Sequence, residues 1–451
     1  MNERMIYSFR ALIVVVVGLL VGGCTSESPE KTVPQESSAP AIESAETAKA
    51  TAADNGQTNL ETTAGTSEGN GREANDSIKA ESEVSSVGPE AAAGESASTA
   101  SPSNRSNWWY FRGDALGKGY VADSKLPDVL DVIWEYEGER TSFEGSPVVW
   151  GDRIVVGDLD GTLHCLNLSD GKAEWTKESK TMYIASPTLA EEGIYLGDGD
   201  GYMHLFDWDG KEQWQFETRA QIDSAANFFE DNLLFGSQDS VLYCVKRKDG
   251  TEVWTHQTDD QIRCSIVVAN DRTYVAGCDM RLHLVKLENG EGLGEVPLAN
   301  VTGSTPATWE DRVYFGLEDG QFTCIDVQKK ETIWTWQHES GEAAIRGSAS
   351  VDGERVIFGT RSSLVVCLKM SDGSKLWEYE TDRKVDGSPV IVGNRVYIGE
   401  GSGKFLVLNR ENGELIQELE LSGVVLGSPC VVGNRLIVAT DEGMVYCLGS
   451  Q

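Results

Sequence analysis

The residues best suited to chemistry are carboxylates and imidazoles that recur together. Asp158-Leu159-Asp160-Gly161 precedes His164, and Asp198-Gly199-Asp200-Gly201 precedes His204. Asp-rich loops suggest calcium, but these lack a third loop oxygen and a distal bidentate Glu. Turn chemistry accounts for them: Asp bonds its own backbone and Gly takes positive φ. His164, His204 and His283 share one position in a repeat, and none of the five histidines has zinc-ligand spacing, so no metal site is expected. Cys165, Cys244, Cys324, Cys367 and Cys447 also fall at a single repeat position. A disulfide needs Cα atoms within about 7 Å, more than equivalent positions on neighbouring repeats offer, so these read as buried thiols. A pairing among Cys264, Cys278 and Cys430 stays open. No nucleophile–base pattern stands out, and no catalytic residue is assigned.

The elements that carry these residues come from a repeat. Eight copies open at Ser146, Ser186, Ala225, Ser265, Thr305, Ser348, Ser388 and Ser428, six intervals being 39 or 40 residues and one 43. A period near 40 signals a propeller or solenoid. Each copy holds short β-branched runs broken by Gly, Asp and Asn, the pattern of four strands joined by tight turns. In the first copy the strands are expected at Pro147 to Trp150 (A), Arg153 to Gly157 (B), Thr162 to Leu168 (C) and around Trp175 (D). Strand D carries an aromatic at Trp175, Trp214, Trp254, Trp334 and Trp377, placed to pack between blades. Gly294 and Gln417 stand at that position in the other two copies with a strand D. The eighth copy stops after strand C, and Asp131 to Tyr136, with Trp134, supplies the missing D pattern. The expected fold is therefore an all-β, eight-bladed propeller of four-stranded blades, closed by an N-terminal strand at about 131–137 that completes the last blade. Closure removes exposed edges.

Strand A is innermost in a propeller, so the residues entering it border the channel mouth. Two positions before each opening residue stand Glu144, Ile184, Asp223, Arg263, Gly303, Arg346, Asp386 and Leu426, five of them charged. The next positions are nearly all small. Two readings follow: a self-satisfied ion-pair network holding the loops, or a docking rim for a partner or ligand. In the second, Arg263 and Arg346 anchor the contact, with Glu144, Asp223 and Asp386 around them.

The N-terminus carries Arg4 and Arg10 before an apolar run from Ala11 to Val21, the order of a cleavable secretory signal over 1–23. From 24 to 104 the chain is rich in Ser, Ala, Glu and Thr and lacks Trp, Phe and Tyr, which predicts an acidic disordered tether. Its end-to-end distance would be on the order of 50 Å. The propeller domain is assigned to 105–451. Net charge is −34, and the stretch from Thr25 to Asn104 carries 14 acidic and 4 basic residues. A chain this acidic is a poor partner for nucleic acid or anionic lipid headgroups. Solubility explains the charge simply, and attraction to a cationic partner is the functional reading.

The phrase Asp170-Gly171-Lys172 to Trp175, repeated at Asp372-Gly373-Ser374-Lys375-Leu376-Trp377, resembles the tryptophan-docking repeat of the pyrroloquinoline-quinone (PQQ)-like propellers. The lead-in Trp109-Tyr110-Phe111-Arg112-Gly113 is similar to one that often precedes them. Val21-Gly22-Gly23-Cys24 resembles a lipoprotein cleavage site, with Cys24 lipidated (palmitate among its acyl chains). The residues after it imply the outer membrane in a Gram-negative cell, facing the periplasm. Two branches share the repeat: quinoprotein dehydrogenases, and the propeller lipoprotein of the outer-membrane β-barrel assembly machinery. No adjacent Cys-Cys pair and no long insertions argue against the first, which would need PQQ and calcium. The resemblance implies a non-enzymatic, monomeric envelope lipoprotein without cofactor. It would act as a protein-interaction scaffold, its partners envelope proteins such as the outer-membrane β-barrel assembly protein. The alternatives are a PQQ-dependent oxidoreductase and a periplasmic carbohydrate or small-ligand sensor. The sensor would need aromatic platforms, which the rim positions do not supply.

Overall fold

A computed structural model describes residues 107–450 of the chain, apart from 124, 340 and 342. The expected leader, Cys24 and the tether lie outside the described residues. Eight sheets form, each with the expected strands A to D, and the seventh blade gains a fifth strand from the lead-in. Blade 1 holds Val148–Trp150, Arg153–Gly157, Thr162–Asn167 and Ala173–Glu178. The eighth sheet closes as expected. Asp131–Glu137 pairs antiparallel with Met444–Gly449, Asp131 opposite Gly449 and Glu137 opposite Met444. Apolar side chains collect into clusters between adjacent blades, such as Val155 and Cys165 of blade 1 with Leu189, Leu196 and Phe206 of blade 2.

Indole rings fasten blade to blade. The Nε1 of Trp134, Trp175, Trp214, Trp254, Trp334 and Trp377 donates to a carbonyl of the next blade at 2.8–3.1 Å. Each ring lies against the Gly of that blade's C–D turn. Gly373 has φ 72°, and a Cβ there would stand 2.6 Å from the Trp334 ring, so two constraints select glycine. Every C–D pair shifts register beside the Trp position, for example between Cys165 and Leu166. That recurring bulge, not foreseen from sequence, re-aims the strand D side chain.

The two copies without Trp are explained by what they face. Opposite Gly294 the turn carries Lys330, at φ 58°, in place of the usual Gly. Its alkyl chain covers Gly294 and its Nζ donates to the Leu293 carbonyl. Opposite Gln417 lies the seam of the ring, where strands C and D of blade 8 come from separate parts of the chain and no turn Gly exists. The Gln417 amide accepts from the Leu130 N–H at 2.9 Å and donates to its carbonyl at 2.7 Å.

The lead-in takes a course that the sequence did not suggest. From Trp108 to Val121 it runs around the inside of the ring against the innermost strands. Carbonyls of Trp109, Ala115, Leu116, Lys118, Gly119 and Val121 accept N–H groups of Leu189, Val268, Thr308, Val351, Ile391 and Gly393. Trp108 bonds Val149 in both directions, and Tyr120–Val121 adds a short parallel strand beside Val390–Val392. Strand A edges that would otherwise face an open channel are thus paired. At the centre is Arg112, 1% exposed. Its Nη1 donates to the Pro389 carbonyl (2.6 Å) and Ser428 Oγ (3.1 Å), its Nη2 to the Ala349 carbonyl (2.7 Å) and Ser350 Oγ (2.9 Å). One guanidinium so ties blades 6, 7 and 8. Burial pushes it down to about 9, which still leaves it charged at neutral pH.

Candidate functional site

The D–A connections of all eight blades meet at one end of the ring. The opening residues set their spacing through a girdle of hydroxyls. The N–H of Ser146 donates to Ser186 Oγ, Ala225 to Ser265, Ser265 to Thr305, Thr305 to Ser348, Ser348 to Ser388 and Ser428 to Ser146, all at 2.7–3.1 Å. The girdle is interrupted where Ala225 has no hydroxyl and where the Ser388 N–H turns to the Gly427 carbonyl at 3.3 Å. Small residues before the girdle permit this approach: a Cβ on Gly347 would stand 2.6 Å from the Gly387 carbonyl.

Above the girdle, Glu144, Asp223, Arg263, Arg346 and Asp386 line one cavity of about 160 Å³, with Ile184, Gly303 and Leu426 between them. All eight positions singled out from sequence are brought together. Phe111, from the lead-in that runs inside the ring, also lines this cavity and adds an aromatic to it. Sequence reading missed Phe111 because nothing in the repeat places the lead-in inside the ring.

The charges pair unequally. Arg346 makes a forked contact with Glu318, a B–C hairpin residue, with Nε–Oε1 at 3.0 Å and Nη2–Oε2 at 3.1 Å. Asp386 takes Lys384 Nζ at 2.6 Å and stands 3.2 Å from Arg361 Nε. Asp223 accepts from Gln221 (2.5 Å) and Gln238 (2.6 Å). Burial lifts its carboxyl above the usual range, against the pull of Arg263. Among the described residues, Arg263 makes only long contacts, to the Gln261 and Gln238 amide oxygens at 3.2 and 3.4 Å. Glu144 has no hydrogen bond or ion pair among the described residues. Burial and repulsion from Asp223 and Asp441 raise its carboxyl. The self-satisfied network is thus half right: it covers Arg346 and Asp386 and omits Glu144.

The recurring imidazoles and carboxylates do converge, but within each blade. His164 Nε2 lies 2.8 Å from Asp158 Oδ2, and His204 Nε2 lies 2.9 Å from Asp198 Oδ2. The other oxygen of each Asp caps its own turn, at Thr162 N (2.7 Å) and Tyr202 N (2.8 Å). Burial alone would raise Asp158, but bonds from His164 and the Thr162 N–H outweigh it and hold the carboxyl low. Among the described residues no three His, Cys, Asp or Glu side chains converge as a metal site. The five repeat-position thiols are free and buried, as are Cys264 and Cys430, so no disulfide joins Cys264, Cys278 and Cys430 to one another. Burial raises Cys165 and Cys244 to about 12.

Eight four-stranded blades, indoles docked between them and a closing N-terminal strand define a PQQ-like β-propeller carrying a charged cup at one mouth. A family model described as outer membrane protein assembly factor BamB matches residues 131–239 and 238–451, and the chain belongs to that family. The BamB of Yersinia pestis is 21% identical over 259 residues, which span 51% of this chain and 65% of the relative, a little under two thirds of its length. The crystal structure of BamB from Moraxella catarrhalis superposes with a TM-score of 0.61 at 17% identity, covering 71% of this chain and all of that one. The quinohemoprotein alcohol dehydrogenase of Comamonas testosteroni gives 0.66 at 12% identity, over 76% and 81%. At such identities the structural matches establish fold alone, which both branches share.

Proposed function

We propose that this protein is a non-enzymatic scaffold of the bacterial cell envelope that docks partner proteins on its cup face during outer-membrane protein assembly. Its anchor is a lipid on Cys24, its location the periplasmic side of the outer membrane. The observation that carries the reading is the convergence of Glu144, Asp223, Arg263, Arg346 and Asp386 on one cup, in a chain whose family is described by assembly. The chain enters the described propeller at the other end of strand A, where Asn107 Oδ1 accepts from the Gly151 N–H at 2.9 Å. The cup face is thereby left clear of the lead-in's entry point.

The quinoprotein reading has less support. The cup, at about 160 Å³, is smaller than the roughly 300–1,000 Å³ of ordinary cofactor pockets. The channel beneath it is occupied by the lead-in, and the described residues offer no carboxylate triad for calcium. These residues do not fit PQQ with its metal.

The test is a crosslinked purification of the lipidated protein from solubilised envelope, read by mass spectrometry. The expected result is enrichment of the outer-membrane β-barrel assembly protein, reduced at least fivefold in an Arg263→Gln/Arg346→Gln double variant whose melting curve is otherwise intact. Recovery of the variant with no barrel component in either sample contradicts the assembly reading.

A further inference from the structure

We propose that the cup receives an arginine side chain presented by a partner polypeptide, with Glu144 as its counter-charge and Phe111 as the surface it rests on. The inference deepens the docking reading and rests on it. It starts from the balance of charge at the mouth. Arg346, Lys384 and Arg361 are already engaged by Glu318 and Asp386. Arg263 is held beside Asp223 by glutamines. Glu144 is left as the rim charge without a partner among the described residues, half-buried and facing the repulsion of Asp223 and Asp441. An incoming cation would stabilise the carboxylate there, and none of the cup's own cations is paired with it.

Three observations identify the cation. First, the described residues hold no group of three metal-ligating side chains, so a bare metal ion would lack ligands. An organic cation brings its own donors. Second, Phe111 and Glu144 line the same cup, and a site that combines an aromatic residue with a carboxylate suits a guanidinium. That group is planar, weakly hydrated and able to stack while it bonds. Third, the surroundings favour a basic protein surface over a free small molecule. The B–C hairpins bond back to the D–A loops, as Leu159 N does to the Ser142 carbonyl and Asp441 N to the Val424 carbonyl, so both belong to one face. Asp160, Asp200, Asp239, Asp319 and Asp441 stand in those hairpins and, with the acidic residues of the D–A loops, outnumber Arg140, Lys180, Arg219, Arg383 and Lys384 on this face. Such a field draws in a basic surface from a distance and disfavours an acidic one. The cup then takes one long side chain, a size matched to about 160 Å³.

The experiment uses the full lipidated chain in detergent and two dye-labelled pentapeptides read by fluorescence anisotropy. One peptide has arginine at its centre, the other citrulline, which keeps the shape and loses the charge. Binding of the arginine peptide at least tenfold tighter than the citrulline peptide is expected. Glu144→Gln should remove that preference, and Glu442→Gln, a charge change on the same face, should keep it. The proposal is overturned if the two peptides bind alike, if Glu144→Gln keeps the preference, if Glu442→Gln removes it equally, or if neither peptide binds at millimolar concentration. Such a failure leaves the docking reading standing, because barrel enrichment in the envelope purification does not depend on an arginine. A failed purification alongside selective arginine binding would instead remove the assembly partner and keep the cup.

Discussion

Replacing Arg112 with Met should lower the unfolding midpoint of the propeller by several degrees while leaving its strand content intact. The variant keeps an unbranched chain of similar reach and deletes donors to four oxygens, those of Ala349, Ser350, Pro389 and Ser428. Ser350 Oγ still donates to the Pro389 carbonyl at 2.6 Å, while buried acceptors left without any donor cost about 1–3 kcal/mol each. Part of that is recovered, because a buried charge no longer has to be desolvated. A net loss of about 3 kcal/mol results, and at about 2 °C per kcal/mol for a large domain the midpoint falls on the order of 6 °C. Arg112→Lys keeps the charge but cannot reach both oxygen pairs, so it should fall between. Thermal melts by circular dichroism read the difference. An unchanged midpoint for Arg112→Met would show that the lead-in does not lock blades 6, 7 and 8.

Trp334→Ala should cost about 3–5 kcal/mol, the range for deleting a buried aromatic. The ring is 8% exposed. It donates to the Met370 carbonyl at 3.0 Å, lies over Gly373 and stands 6.0 and 6.2 Å from the Tyr314 and Phe322 rings. Truncation removes the indole area and leaves a hole between blades 5 and 6 that the backbone of the C–D turn cannot fill. Lys330→Ala, at the interface that uses Gly294 instead, should cost under about 1 kcal/mol, because an exposed lysine stem contributes less burial. Chemical denaturation of the two variants beside the parent checks the contrast. Equal losses would mean that the indoles are not the fasteners.

Much of this was legible because the repeat does the specifying. The 39–40 residue period, the Asp-Gly turns and the Trp positions each report a local requirement, so blade count, strand order and the closing strand follow from them. The eight rim positions were legible for the same reason: an offset from strand A is conserved by blade geometry itself. Pairings between distant residues were not. Arg346 meets Glu318 because a hairpin and a D–A loop share a face, and no spacing in the chain announces it. The course of Trp108 to Val121 was hidden for a stronger reason. It has no period, and its partners lie up to 316 residues away. Gln417 and Lys330 looked like defects in a pattern and are adaptations to the seam and to a turn without glycine.

Docking of partners on the cup face is the proposal on which the rest depends. A photo-crosslinking amino acid placed at Leu426, on the rim, and separately at Asn394, an exposed turn residue at the opposite end of strand A, tests it most directly in intact cells. A crosslinked adduct with the outer-membrane β-barrel assembly protein is expected from Leu426 and none from Asn394. Adducts formed from Asn394 alone would place docking on the other face and contradict it.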